Sequence, residues 1–172
     1  LGARPRNAFR FMPGTVGVLE AAAPDIKNRS FSIVAQVEIP PDGAKGVLVA
    51  MGGRIGGYSL FLQGGRLHFW YNLSRVDQTC LSSTAPVPTG RRLLGVRFAY
   101  DGGGVGKGGL LQLTIDGEAA GEARLARTVG RIFARESFDV GMDLNSPVGN
   151  YDAPFAFTGR LDHLDIVLGD RG

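Results

Sequence analysis

The chain has 172 residues, of which 44% are hydrophobic and 20% are charged, and its formal net charge is +3 at pH 7. This composition is typical of a folded globular protein and argues against a disordered one. No apolar run approaches the roughly 18 residues that span a bilayer, so we predict no membrane partner. The basic residues are scattered and are not interleaved with aromatic residues in one segment, which argues against nucleic-acid binding.

We expect residues 1–172 to form a single domain, with residues 1–14 as an irregular N-terminal arm. The first thirty residues contain neither an initiator methionine nor an apolar signal region followed by a cleavage site. The sequence is therefore expected to be a fragment of a larger protein, and its start does not indicate a cellular location.

The first clear strand runs from Phe31 to Ile39, where apolar and polar residues alternate with a period of two. Such alternation is typical of a strand with one face in the core. The Pro-Pro-Asp-Gly sequence at 40–43 then ends the strand, because proline cannot donate to a β-ladder and Asp-Gly favours a turn.

A hairpin is predicted between Tyr58 and Asn72, with Gly64 and Gly65 as its two-residue turn. Pairing outward from that turn defines two faces. The core face pairs Leu62 with Leu67, Leu60 with Phe69 and Tyr58 with Tyr71. The opposite face carries an apolar group that we expect to be exposed in the isolated chain, namely Phe61, His68 and Trp70.

A second hairpin is predicted to join residues 94–101 to residues 110–116 through a glycine-rich stretch. Asp116-Gly117 is typical of a type I′ turn and leads directly into a third strand at 118–124. These three strands are expected to form a meander.

Two further strands are predicted near the C-terminus, at 138–142 and at 158–168. The second strand should contain a β-bulge near Asp162 and His163, because the parity of its apolar positions shifts there.

Four arginines at 124, 127, 131 and 135 have helical spacing, but Gly130 and the β-branched pair Thr128-Val129 disfavour a helix. We therefore expect a strand followed by a loop in this region. Roughly ten short strands with turn signals about every eight to twelve residues predict an all-β fold. The architecture expected is a two-sheet antiparallel β-sandwich of jelly-roll topology.

Cys80 is the single cysteine, which excludes an internal disulfide and a cysteine-based metal cluster. It is flanked by Thr79 and Leu81 in a strand-like run, with no base nearby in sequence, so we expect a buried structural thiol. His68 and His163 are the only histidines, which argues against zinc.

Oxygen-bearing side chains cluster in the sequence 139–152, and calcium takes six to eight oxygen ligands from such loops. They are Asp139, Asp143, Asn145, Asn150 and Asp152. Their spacing does not match an EF-hand, and loops rich in Asn, Asp and Gly are more often simple turns. We predict no metal here, with Asp143, Asn145 and Asp152 as the candidate ligands if a cation binds.

Four residues are candidates for binding a glycan. Trp70 or Tyr151 can stack on a sugar ring, and Asn72 and Arg75 can bind hydroxyl or sulfate oxygens. The alternative for Trp70 is ordinary packing under a neighbouring element. Glycoside hydrolysis needs two facing carboxylates, and the glutamates of this chain form no recognisable pair.

Several segments resemble, in order, the C-terminal domain of large bacterial arylsulfatases, and together they extend from Pro13 to Leu168. They are PGTVGVLEAAAPDIKNRSFSIVAQVEIP, GVLVAMGGRIGGYSLFLQGGRLHFWYN, FAYDGGGVGKGGLLQLTIDGEAAGEARLARTV, SFDVGMDLNSPV and FTGRLDHLDIVL. The resemblance implies a concanavalin A-like or laminin-G-like sandwich that accompanies a catalytic sulfatase domain. In such enzymes a Cys or Ser in the motif C/S-x-P-x-R becomes formylglycine beside a divalent metal, usually calcium.

None of that catalytic machinery matches this chain. Cys80 begins the sequence CLSST, which lacks the required proline and arginine, and no serine satisfies the motif either. The resemblance therefore implies a non-catalytic accessory domain without a cofactor of its own, whose partner is the catalytic sulfatase domain of the same chain. The alternative function is a lectin-like module that directs the parent enzyme to sulfated glycans.

Overall fold

A computed structural model describes residues 6–133 and 135–172. Eleven β-strands in these residues form two antiparallel sheets that pack face to face, and the only helix among them is a short 3-10 turn at Glu20–Ala22. No helix in the described part of the chain is long and apolar enough to cross a membrane. The predicted all-β jelly-roll sandwich is confirmed.

The six-stranded sheet contains, in spatial order, β1 (Ala8–Phe11), β11 (Arg160–Arg171), β2 (Arg29–Ile39), β7 (Gly90–Tyr100), β8 (Lys107–Ile115) and β9 (Glu118–Arg127). The five-stranded sheet contains, in spatial order, β10 (Phe138–Val140), β3 (Gly46–Gly52), β4 (Gly57–Gln63), β5 (Arg66–Ser74) and β6 (Asp77–Ser82).

The core lies between the inner faces of the two sheets. The alternating residues of β2 that were predicted to face inward are buried there: Phe31, Ile33, Ala35, Val37 and Ile39. Full burial of a Val, Ile or Phe side chain contributes about 1.5–3 kcal/mol, so this stripe is a large part of the stability of the sandwich.

The first hairpin has the predicted register, with Leu62 opposite Leu67 and the other two core pairs in place. The φ angles of Gly64 and Gly65 are 60° and 74°, a left-handed conformation that glycine adopts without steric cost.

The meander is confirmed as well. Strands β7 and β8 pair with each other, and Asp116 and Gly117, with φ angles of 53° and 83°, lead into β9. Residues 128–133 and 135–137 are irregular, as expected for the region of Arg131 and Arg135.

The predicted bulge in β11 is also present. Leu161 pairs with Val37 and His163 pairs with Gln36, so the register shifts between them and Asp162 is the extra residue.

The N-terminal arm differs from the prediction, because Ala8–Phe11 forms a strand that pairs with the outer edge of β11. Its alternation directs Phe9 and Phe11 against the core, while the edge of β11 offers unpaired backbone groups to any extended segment. The four-residue run was too short to stand out in the sequence. Residues 1–5 of the predicted arm lie outside the described residues.

Cys80 is exposed, so the prediction of a buried thiol is wrong. Strand β6 is the edge strand of its sheet, and Leu81 is the residue that it directs into the core. Because neighbouring side chains in a strand point to opposite faces, Cys80 lies on the outer face, directly opposite Trp70 in the ladder.

Candidate functional site

The outer face of the five-stranded sheet, which points away from the six-stranded sheet, is covered by residues 141–157, here called the covering segment. Phe61 lies beneath this segment and is only 1% exposed. It packs with Val47, Ala50, Val148 and Tyr151 in a second, smaller apolar cluster. The expectation of an exposed apolar patch is therefore wrong for Phe61, because the chain itself covers that side chain.

The covering segment is fixed to the sheet by backbone hydrogen bonds and by close packing. The Arg54 amide donates to Ser146 Oγ at 3.1 Å, and the Val47 amide donates to the Phe155 carbonyl at 3.0 Å. Gly149 lies against the rings beneath it, since a Cβ at this position would come within 3.3 Å of Phe61, Trp70 and Tyr151. Only glycine allows the backbone to approach this closely without displacing a ring.

Asp143 is the polar centre of the covering segment. Its carboxylate, which is fully buried, accepts hydrogen bonds from the Tyr151 hydroxyl at 2.6 Å, the Asn145 amide at 3.2 Å and the Val148 amide at 3.4 Å. Burial raises the pKa of Asp143 to about 6, although these three donors act in the opposite direction. The Ser59 hydroxyl lies 3.0 Å from the Tyr151 oxygen and ties the pair to β4.

Hydrogen bonds from neighbouring protein groups occupy the carboxylates of Asp139 and Asp143, the two buried acids in the oxygen-rich sequence 139–152. Asp139 is buried and accepts bonds from the Gly17 amide at 2.8 Å and the Leu144 amide at 3.0 Å, and Asn145 Nδ2 donates to it at 3.2 Å. Asp152 is exposed, in contrast to buried Asp143. In residues 6–133 and 135–172, no group of three or more His, Cys, Asp or Glu side chains is placed to hold a metal ion.

A surface pocket of about 660 Å³, here called the outer pocket, opens between the covering segment and strands β4, β5 and β6. It is lined by Arg54, Gln63, Trp70, Asn72, Arg75, Gln78, Pro147, Val148, Gly149, Asn150, Tyr151 and Asp152. The fold thus brings together the four residues singled out as glycan-binding candidates, and Asp152 lies among them.

Trp70 forms a half-buried wall of the outer pocket. Its Nε1 donates to Gln78 Oε1 at 3.0 Å, and Gln78 Nε2 in turn donates to the Arg75 carbonyl at 3.1 Å. These bonds and the contact with Gly149 hold the indole in one orientation. The alternative of ordinary packing therefore applies to part of Trp70, while the rest of the side chain faces the pocket.

Asn72 is fully buried in the pocket wall, and its amide is used within the protein. Its Nδ2 donates to the Gly53 carbonyl at 3.0 Å and to the Arg54 carbonyl at 2.9 Å. Its Oδ1 is buried without a hydrogen-bond partner among the described residues. The geometry makes Asn72 a positioning residue that fixes the turn carrying Arg54.

Two arginines give the outer pocket its positive charge. Arg54 and Arg75 are exposed, and the ion pairs formed by the described residues involve neither of them. Sequence reasoning missed Arg54, because it lies in a glycine-rich turn whose position near Arg75 depends on the pairing of β3 with β4 and of β5 with β6.

The two packed antiparallel sheets form a laminin-G-like β-sandwich, and solved structures with the same fold are found by comparison. The chain is similar to the mouse laminin alpha1 chain, domains LG4-5, with a TM-score of 0.53 and 13% identity over 95% of this chain and 39% of that one. It is also similar to the CBM40 of the Ruminococcus gnavus IT-sialidase bound to α2,3-sialyllactose, with a TM-score of 0.56 and 16% identity over 96% of this chain and 92% of that one.

A second structure of the same CBM40 gives a TM-score of 0.56 and 14% identity over 96% of this chain and 93% of that one. A scan against protein-family models and a search of curated proteins each give no match. At these identities the likeness shows the fold, and none of these three structures is described as an arylsulfatase.

Proposed function

We propose that this chain is a non-catalytic carbohydrate-binding domain and that the outer pocket binds an acidic glycan. The observation that carries the proposal is the placement of a fixed indole, Trp70, in one pocket with two guanidinium groups that have no ion-pair partner among the described residues, Arg54 and Arg75. The pocket volume of about 660 Å³ lies within the range of about 300–1,000 Å³ that is usual for small-ligand sites.

The lining chemistry suits a sugar that carries a carboxylate or a sulfate. A guanidinium binds either anion through two parallel hydrogen bonds, which gives geometric specificity as well as affinity. The apolar face of a sugar ring can pack on an indole, and the amides of Gln63, Gln78 and Asn150 can bind hydroxyl groups. The R. gnavus CBM40, bound to α2,3-sialyllactose, is an example of this sandwich with an acidic oligosaccharide.

The absence of catalysis is part of the proposal. Hydrolysis of a glycosidic bond by the usual route needs two carboxyl groups on opposite sides of the bond. Asp152 is the only acidic side chain that lines the outer pocket within the described residues. A lone exposed carboxylate can accept a hydrogen bond from a sugar hydroxyl, but it supplies only half of an acid–base pair.

Titration with three sugars that share a lactose core tests the proposal: α2,3-sialyllactose, 3′-sulfolactose and neutral lactose. Trp70 is the only tryptophan, so its fluorescence reports directly on the pocket, and calorimetry gives the stoichiometry. We expect at least one acidic probe to bind at least tenfold more tightly than lactose, and its affinity to fall with added salt because the contact is between charges.

Arg75→Ala should weaken binding of the acidic probe about tenfold or more. Arg131→Ala is the matched control, because Arg131 is exposed and lies outside the outer pocket. The proposal is wrong if neither acidic probe binds, if lactose binds as tightly as the acidic sugars, or if the two arginine variants behave alike.

The resemblance of the sequence segments to bacterial arylsulfatases supports a wider proposal. The parent protein would be a sulfuric ester hydrolase whose formylglycine and divalent metal belong to another domain, and this domain would pack on that catalytic domain or shape its approach. Sequencing the gene upstream of the codon for Leu1 tests it. A C/S-x-P-x-R motif within a sulfatase domain is expected there, and an open reading frame without one contradicts the proposal.

A further inference from the structure

We infer that the outer pocket binds its glycan in one direction, with the acidic group between Arg54 and Arg75 and the neutral sugars extending over Trp70 toward Gln63. The inference rests on the proposed function and adds to it the orientation and the length of the ligand. An oligosaccharide with an acidic sugar at one end and neutral sugars after it is the class of ligand that this arrangement selects.

The hairpin register sets the length of the pocket. Asn72 pairs with Gly57, Trp70 pairs with Ser59 and Gln63 pairs with Arg66, so the three lining residues follow one another along the hairpin. Strands rise about 3.3 Å per residue, which separates the level of Gly57 from the level of Gln63 by about 20 Å. That length exceeds a single sugar ring, so several rings can lie along it.

The two arginines lie at the same end of the pocket. Arg54 is in the turn between β3 and β4, where Gly52 pairs with Gly57, and Arg75 is in the turn between β5 and β6, where Asn72 pairs with Gln78. Side-chain amides hold both turns, since Asn72 donates to the Arg54 carbonyl and Gln78 donates to the Arg75 carbonyl. Two positive charges are therefore held at the Asn72 end.

The covering segment runs away from the arginine end of the pocket. Ser146 accepts a hydrogen bond from the Arg54 amide, Gly149 packs on Trp70, and the Phe155 carbonyl accepts from the Val47 amide, at the level where Val47 pairs with Phe61. Asp152 lies between Gly149 and Phe155 on this path, and it lines the pocket beyond the arginine end. Its carboxylate would repel an acidic sugar and would accept hydrogen bonds from neutral ones.

Gln63, which lies at the end opposite the two arginines, is uncharged. The neighbouring Arg66 does not line the pocket, because its guanidinium donates to the Ser83 carbonyl at 2.8 Å. His68 has both ring nitrogens engaged, with Ser82 Oγ and with the Gln63 carbonyl. The charge order along the pocket thus favours one orientation of an acidic chain over the other.

Two probes of different length test the inference, N-acetylneuraminic acid alone and α2,3-sialyllactose. Gln63→Ala should raise the Kd of sialyllactose about threefold to tenfold and leave the Kd of N-acetylneuraminic acid unchanged, because only the longer ligand reaches Gln63. Arg75→Ala should raise both Kd values by the same factor. Gln112→Ala, on β8 in the other sheet, is the matched control and should change neither.

A nitroxide spin label at the reducing end of sialyllactose reports directly on the orientation of the bound sugar. We expect it to broaden the NMR signal of the Gln63 side-chain amide more than the backbone amide signals of residues 53–56. Broadening in the reverse order, or a Gln63→Ala effect that is equal for both probes, overturns the inference while acidic-glycan binding stands. If neither probe nor 3′-sulfolactose binds, the proposed function and this inference fail together.

Discussion

The Tyr151 hydroxyl donates a 2.6 Å hydrogen bond to the Asp143 carboxylate, and both groups are buried between the covering segment and β4. This contact connects two residues of the segment that are eight positions apart, and it fixes the tyrosine ring edge-on against Phe61, with ring centroids 4.9 Å apart. The shape of the outer pocket therefore depends on a buried carboxyl group whose pKa is raised to about 6.

The first prediction concerns how Asp143 makes stability depend on pH. The group titrates near pH 4 in an unfolded chain and near pH 6 in the folded one, so between these values the folded state binds more protons. Its contribution to the free energy of unfolding is present in full below about pH 4 and is lost as the pH rises through 6. The expected loss is roughly 2 to 3 kcal/mol.

Urea unfolding of the wild-type chain and of Asp143→Asn at pH 4, 5, 6 and 7 measures this contribution. The variant cannot titrate at this site, so the difference between the two curves should change across pH 4 to 6. Other carboxyl groups whose pKa is lowered, such as Asp165 beside Arg10, affect both proteins equally and cancel in the difference. Asp152→Asn is the exposed control. Parallel pH profiles for the wild type and Asp143→Asn would contradict the assignment.

Tyr58 and Tyr71 form a second test, because they are neighbours in the core with different hydrogen bonding. The Tyr58 hydroxyl is buried with no partner among the described residues, so Tyr58→Phe should stabilise the chain by about 1 kcal/mol. The Tyr71 oxygen accepts a bond from the Val129 amide at 2.9 Å, and Tyr71→Phe should destabilise it by roughly 1 to 2 kcal/mol. Urea midpoints that shift in the same direction for both variants would contradict this prediction.

Asn72 should affect both stability and binding. Asn72→Ala leaves the Gly53 and Arg54 carbonyls without their side-chain donor, so we expect a loss of roughly 1 to 3 kcal/mol and weaker binding of the acidic probe. Asn150→Ala is the control for stability, since Asn150 lines the same pocket but is exposed. Urea unfolding and fluorescence titration measure the two effects, and an Asn72→Ala protein as stable as the control would refute the positioning role.

Cys80 should react in the folded protein. It is exposed on the edge strand, so a disulfide reagent should titrate one thiol per chain without denaturant. Partial burial raises the pKa of the thiol, and the rate should therefore increase between pH 7 and pH 9 as thiolate forms. The same count in urea gives the reference value. Reaction that appears only after unfolding would show a buried thiol instead.

Most of the strands could be predicted from the sequence because the signal for each of them is local, whereas β3, which is buried at every position, shows no alternation and was not predicted. Alternation with a period of two identified β2, the paired glycines fixed the register of β4 with β5, and Asp116-Gly117 placed the turn before β9. The bulge in β11 could also be predicted, since one extra residue inverts the parity of the apolar positions that follow it. Where a strand was too short, as in β1, or its parity was ambiguous, as at Cys80, the local signal failed.

The sequence by itself thus determined the class of fold, and it singled out four residues that line one pocket in the structure, namely Trp70, Asn72, Arg75 and Tyr151. Only the tertiary structure decided that residues 141–157 cover Phe61, that Asp143 holds Tyr151, and that Arg54 joins Arg75 in one pocket. The physical reason is separation along the chain. Tyr151 meets Ser59 across 92 positions, and such contacts follow from how two sheets and a long loop pack together, which no local pattern encodes.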